Sequence, residues 1–200
     1  GVNLVASAFD AALPAFVLPR ENGGEKVLGA VMSFAGVAML LGSLLASALP
    51  APKDRIRVIV FTMLFSLTTD NFLMSLSDTP ALWCFAQILG YLPVPLMNAH
   101  LDVIVRSTIP VEMQGRVYAC RNTLQFFTIP IGYSLSGWLI DAVFEPFITD
   151  AGKNSVAVFF FGAEKGAGAA MMIFSLGIAG AAICFAFRAV LQKYKYQEQE

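Results

Sequence analysis

The chain has 200 residues, of which 57% are hydrophobic and 14% charged, with 17 Phe and a single His. A soluble domain carries about 25% charge and needs it to cover its outside, so a mean hydropathy of +0.68 points to a membrane protein. A formal net charge of −1 excludes nucleic-acid binding through a basic surface, and the scattered Cys84, Cys120 and Cys184 form no CxxC pair or disulfide framework.

A membrane-crossing helix needs about 20 mostly apolar residues. Six segments qualify, in chain order Val2–Pro19, Val27–Leu49, Val58–Leu76, Ala81–Val105, Val117–Ile140 and Gly166–Phe187. They predict one all-α bundle of six transmembrane helices over residues 1–200, with a tail over 188–200. The first span opens at once on an apolar run, without Met or a basic leader. That start is expected of a piece cut from a longer polypeptide.

Along the first span, Asn3, Ser7, Asp10 and Pro14 follow helical spacing and share one face. Asp10 lies near mid-span, where an ionisable group costs about 2.5–3.5 kcal/mol on insertion scales and must face protein or water. It is either a proton or substrate site or a structural hydrogen-bond partner. The second span is almost wholly apolar, with small residues Ala38, Gly42 and Ala46 on one ridge for close helix approach. The third carries Thr62, Ser66, Thr69 and Asp70, and Asp70 sits close enough to the span end to be solvated there.

In the fourth span Gln87, Tyr91, Pro95, Asn98 and Asp102 share a face, and Gly90-Tyr-Leu-Pro-Val-Pro95 is expected to bend the helix. The bend serves either packing or a moving gate. The fifth carries Arg121, Gln125, Thr128 and Gly132 on one stripe. Asp102 and Arg121 lie within about a turn of the same surface, at matching depths of about 5–6 Å, so an ion pair or snorkelling is expected there. His100 near that surface reads as an ordinary hydrogen-bonding residue. The sixth span repeats Gly177 and Ala181, a second close-packing ridge. Before it, the apolar Val156–Phe161 is too short to cross and is expected to lie along the interface or pack on the bundle.

Eight Lys and Arg (Lys53, Arg55, Arg57, Arg106, Arg116, Arg188, Lys193, Lys195) fall on one side, and four (Arg20, Lys26, Lys153, Lys165) on the other. The bias puts both termini in the cytoplasm, and Lys193 to Tyr196 read as an interfacial anchor before an acidic end. No HExxH, P-loop, GxSxG or Gly-rich dinucleotide turn occurs, and one His anchors no metal site. Neither an enzyme nor a cofactor or metal is expected.

The connection Ile109-Pro-Val-Glu-Met-Gln-Gly-Arg-Val-Tyr-Ala-Cys-Arg121 closely resembles the loop between helices ten and eleven of major facilitator superfamily exporters of the macrolide-efflux and siderophore-exporter type. Pro110, Gln114, Gly115, Arg116, Val117 and Arg121 match, and Gly137-Trp-Leu-Ile-Asp-Ala-Val-Phe-Glu-Pro146 looks like a further stretch of that group. The resemblance implies that residues 1–200 are the C-terminal six-helix half of a twelve-helix transporter in a bacterial cytoplasmic membrane. Its partners would be the N-terminal half, lipid, protons and a small amphipathic or hydrophobic solute of drug, macrolide or siderophore kind. The implied solute and ion pathway comprises Asp10, Ser7, Asn3, Gln87, Tyr91, Asn98, Gln125 and Thr128. Asp102, Pro110, Glu112, Gly115, Arg116 and Arg121 would form a charged gate with Arg106 on the cytoplasmic face. The chain departs from that plan in its apolar second span and in Thr68-Thr69-Asp70-Asn71 on a helix expected to sit outside. Export and proton coupling come from the resemblance alone. The competing reading is a non-transporting six-helix scaffold or assembly subunit, which needs no polar interior.

Overall fold

The computed structural model describes residues 1–150 and 155–197. Its elements are α1 (Val2–Val17), α2 (Glu25–Ala48), α3 (Arg55–Ser75), α4 (Pro80–Tyr91), α5 (Val94–Thr108), α6 (Val111–Leu139), a π-helical segment (Ile140–Phe144), α7 (Glu145–Asp150), α8 (Val156–Phe161) and α9 (Ala167–Gln197). Among the described residues there is no strand. Lys153 and the acidic end at 198–200 lie outside them. The expected anchor from Lys193 to Tyr196 continues the backbone of α9.

Among the described residues five helical stretches are long and apolar enough to cross a membrane: Glu25–Ala48, Arg55–Ser75, Pro80–Thr108, Val111–Asp150 and Ala167–Ala189. These lengths and compositions are compatible with an integral membrane protein. The first expected span is shorter. α1 has 16 residues, about 24 Å at 1.5 Å per residue, because the chain turns where the Gly23 and Gly24 amides donate back to the Arg20 and Val17 carbonyls. Large apolar side chains such as Leu40, Leu44, Phe126, Phe127 and Trp138 stand exposed on α2 and α6. Such a surface needs lipid or another helical layer to cover it.

The bend expected in the fourth span is a break. Pro93 and Pro95 have no N–H for the Leu89 and Tyr91 carbonyls, so α4 stops at Tyr91 and α5 restarts at Val94. α2 lies against this break. A Cβ on the buried Gly42 would come 2.2 Å from the Leu92 carbonyl oxygen, so glycine is required there. On the last helix Gly177 and Gly180 meet Phe72 and Leu67 of α3, a three-residue step that keeps both on the face that α3 covers.

The core gathers Phe9, Phe16, Trp83, Met74 and Ile173 from α1, α3, α4 and α9, with Phe16 and Trp83 edge to face at 5.2 Å. α1 packs along α6 and α9, and α3 packs along α9, α4 and α5. Ser136 fastens α6 to α1 by donating to the Ala8 carbonyl at 2.8 Å in a fully buried contact.

Two expected loops are largely helical. The 106–116 connection shrinks to Ile109 and Pro110, and Gln114 Nε2 donates to the Arg106 and Ile109 carbonyls at 3.2 and 3.1 Å. Gln114 thereby satisfies oxygens that the end of α5 leaves open. The 141–165 loop continues as helix to Asp150 through the π-helical segment. That places Glu145 so that its carboxylate accepts from the Gly168 amide at 2.9 Å and the Gly166 amide at 3.4 Å, capping α9 where the helix dipole favours an anion. α8 packs on the bundle through Phe161, buried beside Phe174 at 5.5 Å, while Phe159 faces outward.

Candidate functional site

A cavity of about 400 Å³ opens at the Gly1 end of the bundle, walled by α1, α3, α5, α6 and α9. Its polar lining is Asn3, Asn98, Gln125, Thr128 and Arg121, all singled out by helical spacing. Asn3 Nδ2 donates to the Gln125 carbonyl at 3.1 Å, and Gln125 Nε2 returns a contact to Asn3 Oδ1 at 3.4 Å. Thr128 Oγ1 donates to the same Gln125 carbonyl at 2.7 Å. Ile59, Met63, Met97 and Leu101 supply much of the apolar wall.

At this end Arg121 Nη1 donates to Asp102 Oδ1 at 2.9 Å, joining α6 to α5. The two side chains are 29% and 44% exposed. The rest of the expected charged cluster is not tied together. Pro110, Glu112, Gly115, Arg116 and Arg106 are exposed, and no ion pair links their charges among the described residues. Glu112 instead sits in the first turn of α6, where an acidic side chain suits the helix dipole.

A second polar group lies deeper, beside the α4–α5 break. Asp10, midway along α1, is exposed and accepts a hydrogen bond from the Tyr91 hydroxyl at 3.2 Å. Asn3 and Ser7, its expected neighbours, turn elsewhere. Ser7 Oγ donates to the Leu4 carbonyl at 3.1 Å, and Ser7 is buried against Gly132, where a Cβ would come 2.0 Å from its hydroxyl. Ser7 therefore packs α1 on α6.

Asp70 overturns its expected solvation. It is 6% exposed, turned from α3 toward α4, where Gln87 Nε2 reaches its Oδ1 at 3.4 Å. Gly90 makes room, since a Cβ there would lie 2.6 Å from Asp70 Cβ and Cγ. Ser66 Oγ reinforces the contact by donating to the Gly90 carbonyl at 2.6 Å. Gln87 is thus withdrawn from the stripe it shares on paper with Asn98 and Asp102 and is 1% exposed. Only the Gly90–Asp70 complementarity, a residue without side chain opposite a polar one, could have signalled this contact.

At the opposite end from the cavity, Arg20 is buried, pairs with Asp78, donates to the Phe161 carbonyl at 3.1 Å and lies over the Phe16 ring at 4.4 Å. It ties the α1–α2 turn, the α3–α4 loop and α8 together. Among the described residues no group of His, Cys, Asp or Glu is placed to hold a metal ion. Comparison with protein-family models, with curated proteins and with solved structures gives no match.

Proposed function

We propose that this bundle is the C-terminal six-helix half of a secondary active transporter of the major facilitator type, exporting small amphipathic or hydrophobic compounds at the expense of a proton gradient. The single observation that carries the reading is the 400 Å³ cavity between helices, lined by amides and one cation over apolar walls, within the range of about 300–1,000 Å³ typical of small-molecule sites. A scaffold has no use for such a space. Counting α1 as a sixth, partly immersed span, the bundle would stand with the Gly1 end and cavity mouth in the cytoplasm of a bacterial cell, as the Lys and Arg bias asks. The broken fourth span suits alternating access, because its two segments can pivot about Leu92 and Pro93. A second six-helix half would cover the apolar faces of α2 and α6. In this reading Asp10 binds the coupling proton. The Asp102–Arg121 pair closes the cytoplasmic side, and Asn3, Asn98, Gln125 and Thr128 contact the solute.

The test is reconstitution of the full-length polypeptide in proteoliposomes with an imposed pH gradient and a panel of labelled amphipathic probes. Gradient-driven movement of at least one probe, absent from protein-free vesicles, is expected. Equal probe flux with and without protein would mean a scaffold.

A further inference from the structure

We infer that the cavity takes an amphipathic carboxylate, with Arg121 as the group that receives it in exchange for Asp102; this deepens, and rests on, the reading of the cavity as a solute site. The sign of the charge comes first. Arg121 is the charged side chain of the lining, and no Asp or Glu lines the space. The other polar walls, Asn3, Asn98, Gln125 and Thr128, are neutral donors and acceptors. A cationic solute finds no carboxylate in the lining to answer its charge, whereas an anion finds a guanidinium with donors to spare.

Exchange is feasible because the existing pair is half made. Asp102 takes Arg121 through one contact, Nη1 to Oδ1 at 2.9 Å. A guanidinium offers five N–H donors in a planar fork that fits a carboxylate with two parallel bonds. Asp102 lies outside the cavity lining, and its side chain is 44% exposed. Released, it returns to water, while Arg121 keeps a carboxylate throughout. The swap is charge for charge, so no unpaired ion is left in the bundle. The apolar body of the solute would then lie against Met63, Met97, Leu101 and Leu124 of the apolar wall.

The experiment measures binding to the detergent-solubilised full-length polypeptide by calorimetry, with three probes that share one ring system: naphthaleneacetate, its neutral acetamide and the cationic naphthylethylammonium. The acetate is expected to bind at least tenfold more tightly than the other two, and Arg121→Gln to erase that preference. Asp102→Asn removes the competitor and is expected to tighten acetate binding severalfold and by more than it tightens acetamide binding, a gain that a merely structural ion pair does not give. Should Arg121→Gln fail to fold, the Asp102→Asn result decides. Failure of the acetate to bind, equal binding of the three probes, a preference for the cation, or weaker acetate binding by Asp102→Asn overturns the assignment. Gradient-driven flux of other probes alongside such a failure leaves the transport reading standing. Intact acetate preference without any gradient-driven flux removes transport and leaves the binding site.

Discussion

Three aspartates in this bundle sit in two different settings. Asp102 is half exposed near one end and holds Arg121 at 2.9 Å. Asp10 and Asp70 flank the break between α4 and α5, and there the partners are neutral: the Tyr91 hydroxyl for Asp10 and the Gln87 amide for Asp70. Among the described residues neither lies within ion-pair distance of a cation. A carboxylate beside a cation is a clasp, because its charge is answered in place. A carboxyl held only by neutral donors tolerates both of its protonation states, since a hydroxyl or an amide can serve either one. In the proposed reading the first setting would close a path and the second would carry a proton.

The sharpest way to break the comparison is to fill the space that admits Asp70. Gly90→Ala puts a Cβ 2.6 Å from Asp70 Cβ and Cγ, too near the main chain of α3 for a side chain simply to swing aside. Overpacking of this kind costs about 1–3 kcal/mol. Thermal unfolding in detergent is expected to show that loss, with part of it recovered by Asp70→Gly in the same chain. An unchanged unfolding temperature for Gly90→Ala would mean that α3 and α4 do not meet at this depth.

What the sequence disclosed depended on whether the answer lay along one helix or between two. Hydropathy runs located the long helices, and Pro93 with Pro95 marked the break because a missing N–H is a property of the residue itself. The Asp102–Arg121 contact followed from counting depth on adjacent helices. Asp70 and Gln87 went the other way. Each looked solvent- or cavity-facing on its own helix, and only the Gly90 approach turns them toward each other. Ser7 shares a stripe with Asp10 yet is buried by Gly132, since α6 covers part of the face that spacing alone treats as one surface. The capping of α5 by Gln114 and of α9 by Glu145 also needed the third dimension: both act on a neighbouring helix end, and the second depends on a π-helical turn that no motif announces.

A smaller effect sharpens the other side of the comparison. With side chains 29% and 44% exposed, the Asp102–Arg121 pair is screened by water and is expected to contribute about 0.5 kcal/mol. In a double-mutant cycle with Asp102→Arg and Arg121→Asp, the swapped chain is expected to regain about that much over the sum of the single changes, read by thermal unfolding. Strict additivity would mean that the contact contributes nothing and that α5 and α6 are held by packing alone.

The division between clasp and carrier is tested most directly at Asp10. In proteoliposomes containing the full-length polypeptide, with a probe that an imposed pH gradient moves, Asp10→Asn is compared with the unaltered chain for accumulation against a gradient and for exchange at equal concentrations. An asparagine keeps the size and the contact with Tyr91 but cannot bind and release a proton. Uphill accumulation is expected to disappear while exchange persists in a normally folded protein. Full uphill accumulation by Asp10→Asn would contradict the account and leave Asp10 as a structural partner of Tyr91.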